Sequence, residues 1–516
     1  MIQPHSSPGW ESEQQRWSAW YAERLPQQLR DVAAHVRVQR RTPGRLVSHF
    51  ASCLSLLRRT AAFETFDEAW LALVEALHPL PKRWGQWEAW LEIMKLAAMK
   101  HGAREDCAEQ ARYLGHAAAL LLEMGRLEMA RQTAEKALAL AIEAGASVVR
   151  LEVSSTLAAV LSSSGRYEEA AECLEALPRF EDVSDLDAAT LVELERMDLL
   201  RHQGDPLGAL AAGSAVLQRL YADDDNDPYL LAVFHRRLAT IQWAAGAYED
   251  AATNLQRAAA LFSQASDALA AVLTEGNLGL VYYSMARYEQ AERAIEAALA
   301  AGEQLGARWW IIRDMGNRMA VYLARGQLEL ALFYGRRFLD LAHEFQDAAE
   351  ISRARANYGA TLLYMGQPEE GLVDIEAGLA AYRAHERSEG YIASKVDLAL
   401  CLQAMGKQKE AVALAQKAYE EAAELDFPAL RIITARCLAE FAPAAERAAL
   451  LREALDLARQ VGRPLDEAGC LLSLASLDGG DGRMWQAGKK LLEQIGAAAW
   501  LKGRSPADPP LVALIL

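Results

Sequence analysis

The chain has 516 residues, 52% of them apolar and 24% charged, and a formal net charge of −16. Ala, Leu, Glu, Gln and Arg fill most windows while Val, Ile and Thr clusters are scarce, so strong helix formers dominate and predict an all-α fold. An acidic body argues against a general nucleic-acid binder, which needs clustered Lys and Arg. No window offers about 18 uninterrupted apolar residues or a signal-peptide core, which excludes a membrane span and points to the cytoplasm.

The first 80 residues read as an N-terminal helical cap rich in Trp and Arg, with Trp10, Trp17, Trp20 and Trp70 and the helical pattern Leu46–Phe50–Leu54–Leu57. A degenerate repeat is expected at 45–80. Residues 1–60 hold nine Arg, no Lys and four acids, a balance of +5 against −21 for the rest. Arg37, Arg40 and Arg41 either touch a phosphate backbone or pack on or near the acidic array. No known basic motif accompanies them, which favours packing. The six cysteines make no CxxC pair and sit in Ala/Leu-rich windows as small hydrophobes, so no metal or cofactor is expected.

From about residue 81 to 500 a short motif recurs: a turn residue, two or three mixed residues, then Glu or Gln and Ala. It reads MGRLEMA at 124–130, SGRYEEA at 164–170, AGAYEDA at 245–251, MARYEQA at 285–291, RGQLELA at 325–331 and MGKQKEA at 405–411. The turn residues Gly125, Gly165, Gly204, Gly246, Ala286, Gly326, Gly366 and Gly406 are spaced by 40, 39, 42, 40, 40, 40 and 40 residues. Gly85 stands another 40 upstream, while Ala442 or Pro443 and then Gly482 continue the rhythm less cleanly. Glycine ends the first helix of each unit because it accepts the left-handed conformation. A small residue seven before the turn, such as Gly279 or Gly359, and an Ala five after it, such as Ala291, let two helices approach. One hairpin cannot cover its apolar stripe, so neighbours must stack. Ala286 in place of glycine predicts either a turn without the left-handed residue or a strained one.

These motifs and offsets resemble the tetratricopeptide repeat, in a form longer than that family's usual period of about 34 residues. They are similar to the arrays of Leu-Gly-Asn proteins, kinesin light chains, bacterial peptide-sensing regulators and the sensor arrays of signal-transducing (STAND) NTPases. The resemblance implies a right-handed α-solenoid of stacked antiparallel helix pairs, with about 10–11 repeats over residues 81–500. Residues 501–516 follow as a Pro-rich apolar tail whose prolines forbid a continuous helix, expected to dock on the last helices or to bind a partner.

Catalytic motifs are missing. Gly406–Lys407 belongs to a repeat turn and not to a P-loop; no HExxH, GxSxG or strand-linked GxGxxG occurs. DDDNDPY at 223–229 starts like a calcium loop but has Pro228 and Phe234 where Gly and Glu are needed, so it reads as a solvated linker, and DGGDG at 478–482 reads as a turn.

Residues at equal repeat positions form columns. Nine before the turn stand Asn277, Asn317 and Asn357, flanked in the row by Arg237 and Asp397. In related peptide-binding arrays, the resemblance implies, asparagines here hold an extended peptide backbone, with both donor and acceptor to offer. Thirteen before the turn come Arg313 and Arg353, suited to a carboxylate. Trp243 and Tyr283, three before it, offer an aromatic wall. The competing reading bonds Asn277 to a neighbouring helix, pairs Arg313 and Arg353 with Asp314, Glu350 or other local acids, and puts Tyr283 in the core.

The expected function is therefore a non-enzymatic scaffold or adaptor that takes a peptide or protein segment in its groove. The alternative is a ligand-sensing array, STAND-type or a companion, that controls an NTPase, protease or other effector encoded apart from it. A nucleic-acid adaptor using the basic head is the weakest reading.

Overall fold

The computed structural model describes residues 8–39, 46–84, 86–222, 228–305, 308–345, 348–382, 389–477, 482–506 and 512–514. Arg40, Arg41, Gly85 and the acidic stretches 223–227 and 478–481 lie outside the described residues. Among the described residues the architecture is all-α, a succession of helix pairs. Ten helix pairs run among the described residues, from Cys107–Glu123 with Leu127–Glu143 to Pro464–Leu477 with Gly482–Gln494. Half of their helices have 17 residues, about 25 Å each.

The turn chemistry follows the sequence. Gly246 adopts φ 79°, and the amide after it, Ala247 N–H, reaches back to the Gln242 carbonyl at 2.8 Å. Ala286 takes the same left-handed shape, φ 55°, and Arg287 N–H bonds the Tyr282 carbonyl at 2.8 Å. Of the two expectations for this turn the strained one holds, at a cost of about 1–2 kcal/mol for an L-residue. The alanines after the turns are packing positions: Ala130, Ala134, Ala411 and Ala415 are all fully buried.

The chain divides into two compact units, residues 1–160 with 265–268, and residues 161–264 with 269–516. In the first, the helices Phe50–Thr60 and Asp67–Leu77 share one apolar core with Trp87–Ala103 and the first pairs, centred on Trp70, Trp90 and Met94. The Trp70 indole N–H donates to the Leu57 carbonyl at 2.9 Å. The basic head thus has no core of its own ending at residue 80. Arg37 lies 3.5 Å from Glu75 and donates to the Ala72 carbonyl, so this cation packs on its own unit.

In the second unit the array coils back so that early turns meet late helices. Asp426 N–H donates to the Gly204 carbonyl at 3.0 Å, and Arg201 lies 3.2 Å from Glu389. Gly246 faces Val461 and Pro428. The Trp500 indole N–H donates to the Ala324 carbonyl at 2.9 Å. This seam could not be read from one repeat, and it recruits residues that a single hairpin would leave at its surface.

Candidate functional site

The asparagine column lies on the first helices of three consecutive pairs: Ala268–Ser284, Arg308–Ala324 and Ala348–Tyr364. Its members differ in their surroundings. Asn277 and Asn357 are half-buried, and neither side chain makes a hydrogen bond among the described residues. Asn317 is buried, and its amide donates to Asp314 Oδ1 at 3.3 Å. Asp397, next in the row, is 7% exposed and its Oδ1 has no hydrogen-bond partner among the described residues; burial alone holds its carboxyl well above the ordinary carboxylate range.

Arg313 and Arg353 enter a compact ion cluster. Arg353 pairs with Glu350 at 2.7 Å, donates to the Arg313 carbonyl at 3.2 Å and lies over the Phe338 ring. Arg313 stacks on Trp310 and sits 3.7 Å from Asp314, which has no solvent exposure. Burial lowers the Arg313 guanidinium to about 10, and burial raises Asp314. Two cations and two carboxylates leave the cluster neutral.

Glycines make room for this layer. A Cβ at Gly276 would stand 3.1 Å from Asp314, and one at Gly316 would stand 2.8 Å from Arg353 Nη2. Each glycine immediately precedes a column asparagine. The "GN" pairs therefore do two jobs: the glycine seats the charged side chain of the next repeat, and the asparagine faces the row.

The remaining sequence candidates sit elsewhere. Arg237 pairs with Asp198, at a very short separation, and with Glu195 at 3.3 Å. Burial raises Glu195; it also works on Asp198, where Arg237 and Arg201 overcome it and lower the carboxyl. The Trp243 indole N–H donates to Ser284 Oγ at 2.8 Å. Tyr283 is 5% exposed and belongs to the core beside Tyr288, Leu465 and Ala468, and burial raises its phenol. The aromatic pair therefore lines the seam. The structure does not bring it to the asparagine row as an open wall.

The same seam contains a polar group that the repeat comparison did not single out. Asp466, 1% exposed, takes Arg436 on one oxygen and Arg463 on the other, the latter at 2.6 Å. The available signal was Arg436, flanked by the apolar runs IITA at 432–435 and CLA at 437–439, since such a charge must find a buried partner. A shallow cleft lined by Gln256, Ser263, Glu275, Leu278 and Ala294 contains none of the column residues. Among the described residues no group of three or more His, Cys, Asp or Glu is placed to hold a metal ion, and no helix is long and apolar enough to cross a membrane.

No family model and no curated protein matches the chain. Among solved structures it is similar to a Rap protein complexed with competence and sporulation factor, at 17% identity and TM-score 0.47 over 67% of this chain and 99% of that one. It is also similar to the apo quorum sensor NprR from B. thuringiensis, at 15% identity and TM-score 0.44 over 69% of this chain and 99% of that one. A STAND protein with a tetratricopeptide repeat sensor from Pyrococcus horikoshii gives 16% identity and TM-score 0.38 over 72% of this chain and 53% of that one. The likeness is too loose to carry a ligand or a residue role across.

Proposed function

We propose that the protein is a non-enzymatic interaction scaffold whose asparagine row holds the backbone of an extended peptide or protein segment. The observation that carries this reading is the contrast within the row. Asn277 and Asn357 are half-buried and their amides make no hydrogen bond among the described residues, so packing there gives no reason for them. An amide presents a donor and an acceptor together, which matches a peptide unit. Asn317, Arg313, Arg353, Asp314 and Glu350 form the neutral layer between these two amides and set their spacing. Arg237, Trp243 and Tyr283 support the same array from the flank and the seam.

The test is selection of displayed random peptides on the wild-type protein, followed by titration of the winners against Asn277→Ala/Asn357→Ala. The expected result is at least a tenfold loss of affinity with unchanged helical content. Selected peptides that bind the double variant as tightly as the wild type would remove the row from the binding site.

A further inference from the structure

Residues Val512–Leu514 belong to no helix and are 1%, 0% and 2% exposed, and they dock on the last helices, as expected for the tail, and on earlier ones too. The last helices are only part of their surroundings. Val512 shares an apolar cluster with Ala324, Leu465 and Leu472; Ala513 with Tyr322, Leu323 and Ala331; Leu514 with Val396, Leu400 and Leu438.

The polar contacts are of one kind. Arg436 Nη2 donates to the Val512 carbonyl at 3.2 Å, and Leu514 N–H donates to the Tyr364 hydroxyl at 2.8 Å. No backbone–backbone hydrogen bond ties residues 512–514 to the described remainder of the chain. The array reads this segment's main chain through its side chains, as a groove reads a peptide.

Of the two reading groups, Arg436 is held without the segment. Asp466 clamps Arg436, and Arg463 clamps Asp466 in turn. Gly469 leaves the space that the Arg436 guanidinium fills. The connection back to the helices, residues 502–505, is exposed.

We propose that this slot is a binding site for an extended aliphatic peptide, and that residues 512–514 are its resident occupant, held in cis and exchangeable for a partner segment of the same chemistry. The ligand needs a carbonyl at one residue and a free N–H two residues later, with small or aliphatic side chains throughout. A short tether keeps the resident at an effective concentration of the order of millimolar, so the intact chain suppresses any free competitor. The slot uses Tyr364 and Arg436, outside the Asn277–Asn317–Asn357 row, so either proposal can fail alone.

The experiment places a specific protease site between Arg504 and Ser505 of the full chain and severs the folded protein there. A fluorescent peptide of residues 507–516 is then titrated by polarisation. The expected result is saturable binding to the severed protein and binding at least ~100-fold weaker to the intact one, as tethering requires. A second peptide, N-methylated at the amide of Leu514, removes the donor to Tyr364 without touching the protein and should bind at least tenfold more weakly. A severed protein that takes up no peptide overturns the proposal, as do equal affinities for severed and intact protein. Loss of the helical signal on severing overturns it too, because the segment is then a piece of core.

Discussion

Two buried charged groups in the second unit are built on opposite plans. The cluster of Arg313, Asp314, Glu350 and Arg353 joins neighbouring repeats and pairs two cations with two carboxylates, and its two arginines stand 40 residues apart at one repeat position. The cluster of Arg436, Asp466 and Arg463 joins helices of the late array, carries two guanidiniums on one carboxylate, and turns Arg436 Nη2 to a main-chain carbonyl 76 residues away. The first is a stacking device between repeats. The second is a receiver for a segment that belongs to no repeat. The first cluster's ion pairs stay within adjacent repeats, whereas the second also holds a stretch of chain from outside the repeats.

The largest expected effect breaks the second cluster. Asp466→Ala strands two guanidiniums that are about 5% exposed and should cost about 3–5 kcal/mol, the usual penalty for breaking a buried pair, read as a lower urea midpoint. Next, Gly246→Ala and Gly406→Ala separate seam from turn. Both glycines are left-handed, at φ 79° and 78°, but only Gly246 has neighbours, with a Cβ placed 2.9 Å from Val461 Cγ1. Each should lose about 1–2 kcal/mol from the backbone, and Gly246→Ala about 1–3 kcal/mol more from overpacking. Equal losses by thermal or urea unfolding would dissolve the seam.

A smaller, pH-dependent effect belongs to Asp397. Its folded pKa is raised by burial, so the folded state keeps a proton that the unfolded state has released. Its contribution to stability is therefore greatest below the unfolded value near 3.8 and falls as pH rises toward the folded value, by at most about 1.4 kcal/mol per pH unit. Asp397→Asn removes that slope, so its stability relative to wild type should increase with pH in paired urea titrations at pH 5 and 8. A constant difference would mean that the carboxyl is already ionised. Smallest of all, Asn277→Ala and Asn357→Ala should each change stability by no more than about 0.5 kcal/mol, as surface positions do.

Much of the fold was legible in the sequence because one spacing recurs many times: the pairs, the small packing positions and the left-handed turns all follow from it. The strain at Ala286 was one of two readable outcomes. The seam was not legible, because contacts such as Gly204 with Asp426 and Trp500 with Ala324 depend on how many repeats complete a coil. For that reason Trp243 and Tyr283, read as a wall, line a packed joint, and the segment at 512–514 docks across Tyr364 and Arg436 as well as on the last helices. In the column, spacing located the residues but could not divide them. Asn317 turns to its own neighbour because Asp314 stands three residues before it, where Asn277 and Asn357 have Thr274 and Ala354.

The account's central claim is that the amides the fold leaves unused serve binding, while the charges it neutralises serve the scaffold. Binding isotherms for a selected peptide, measured beside thermal melts for Asn277→Ala/Asn357→Ala and for Arg353→Ala, test it most directly. The prediction is that the asparagine variant loses at least tenfold in affinity at an unchanged melting temperature, while Arg353→Ala loses melting temperature first. An asparagine variant that binds like wild type, or one that melts earlier than Arg353→Ala, would contradict the claim.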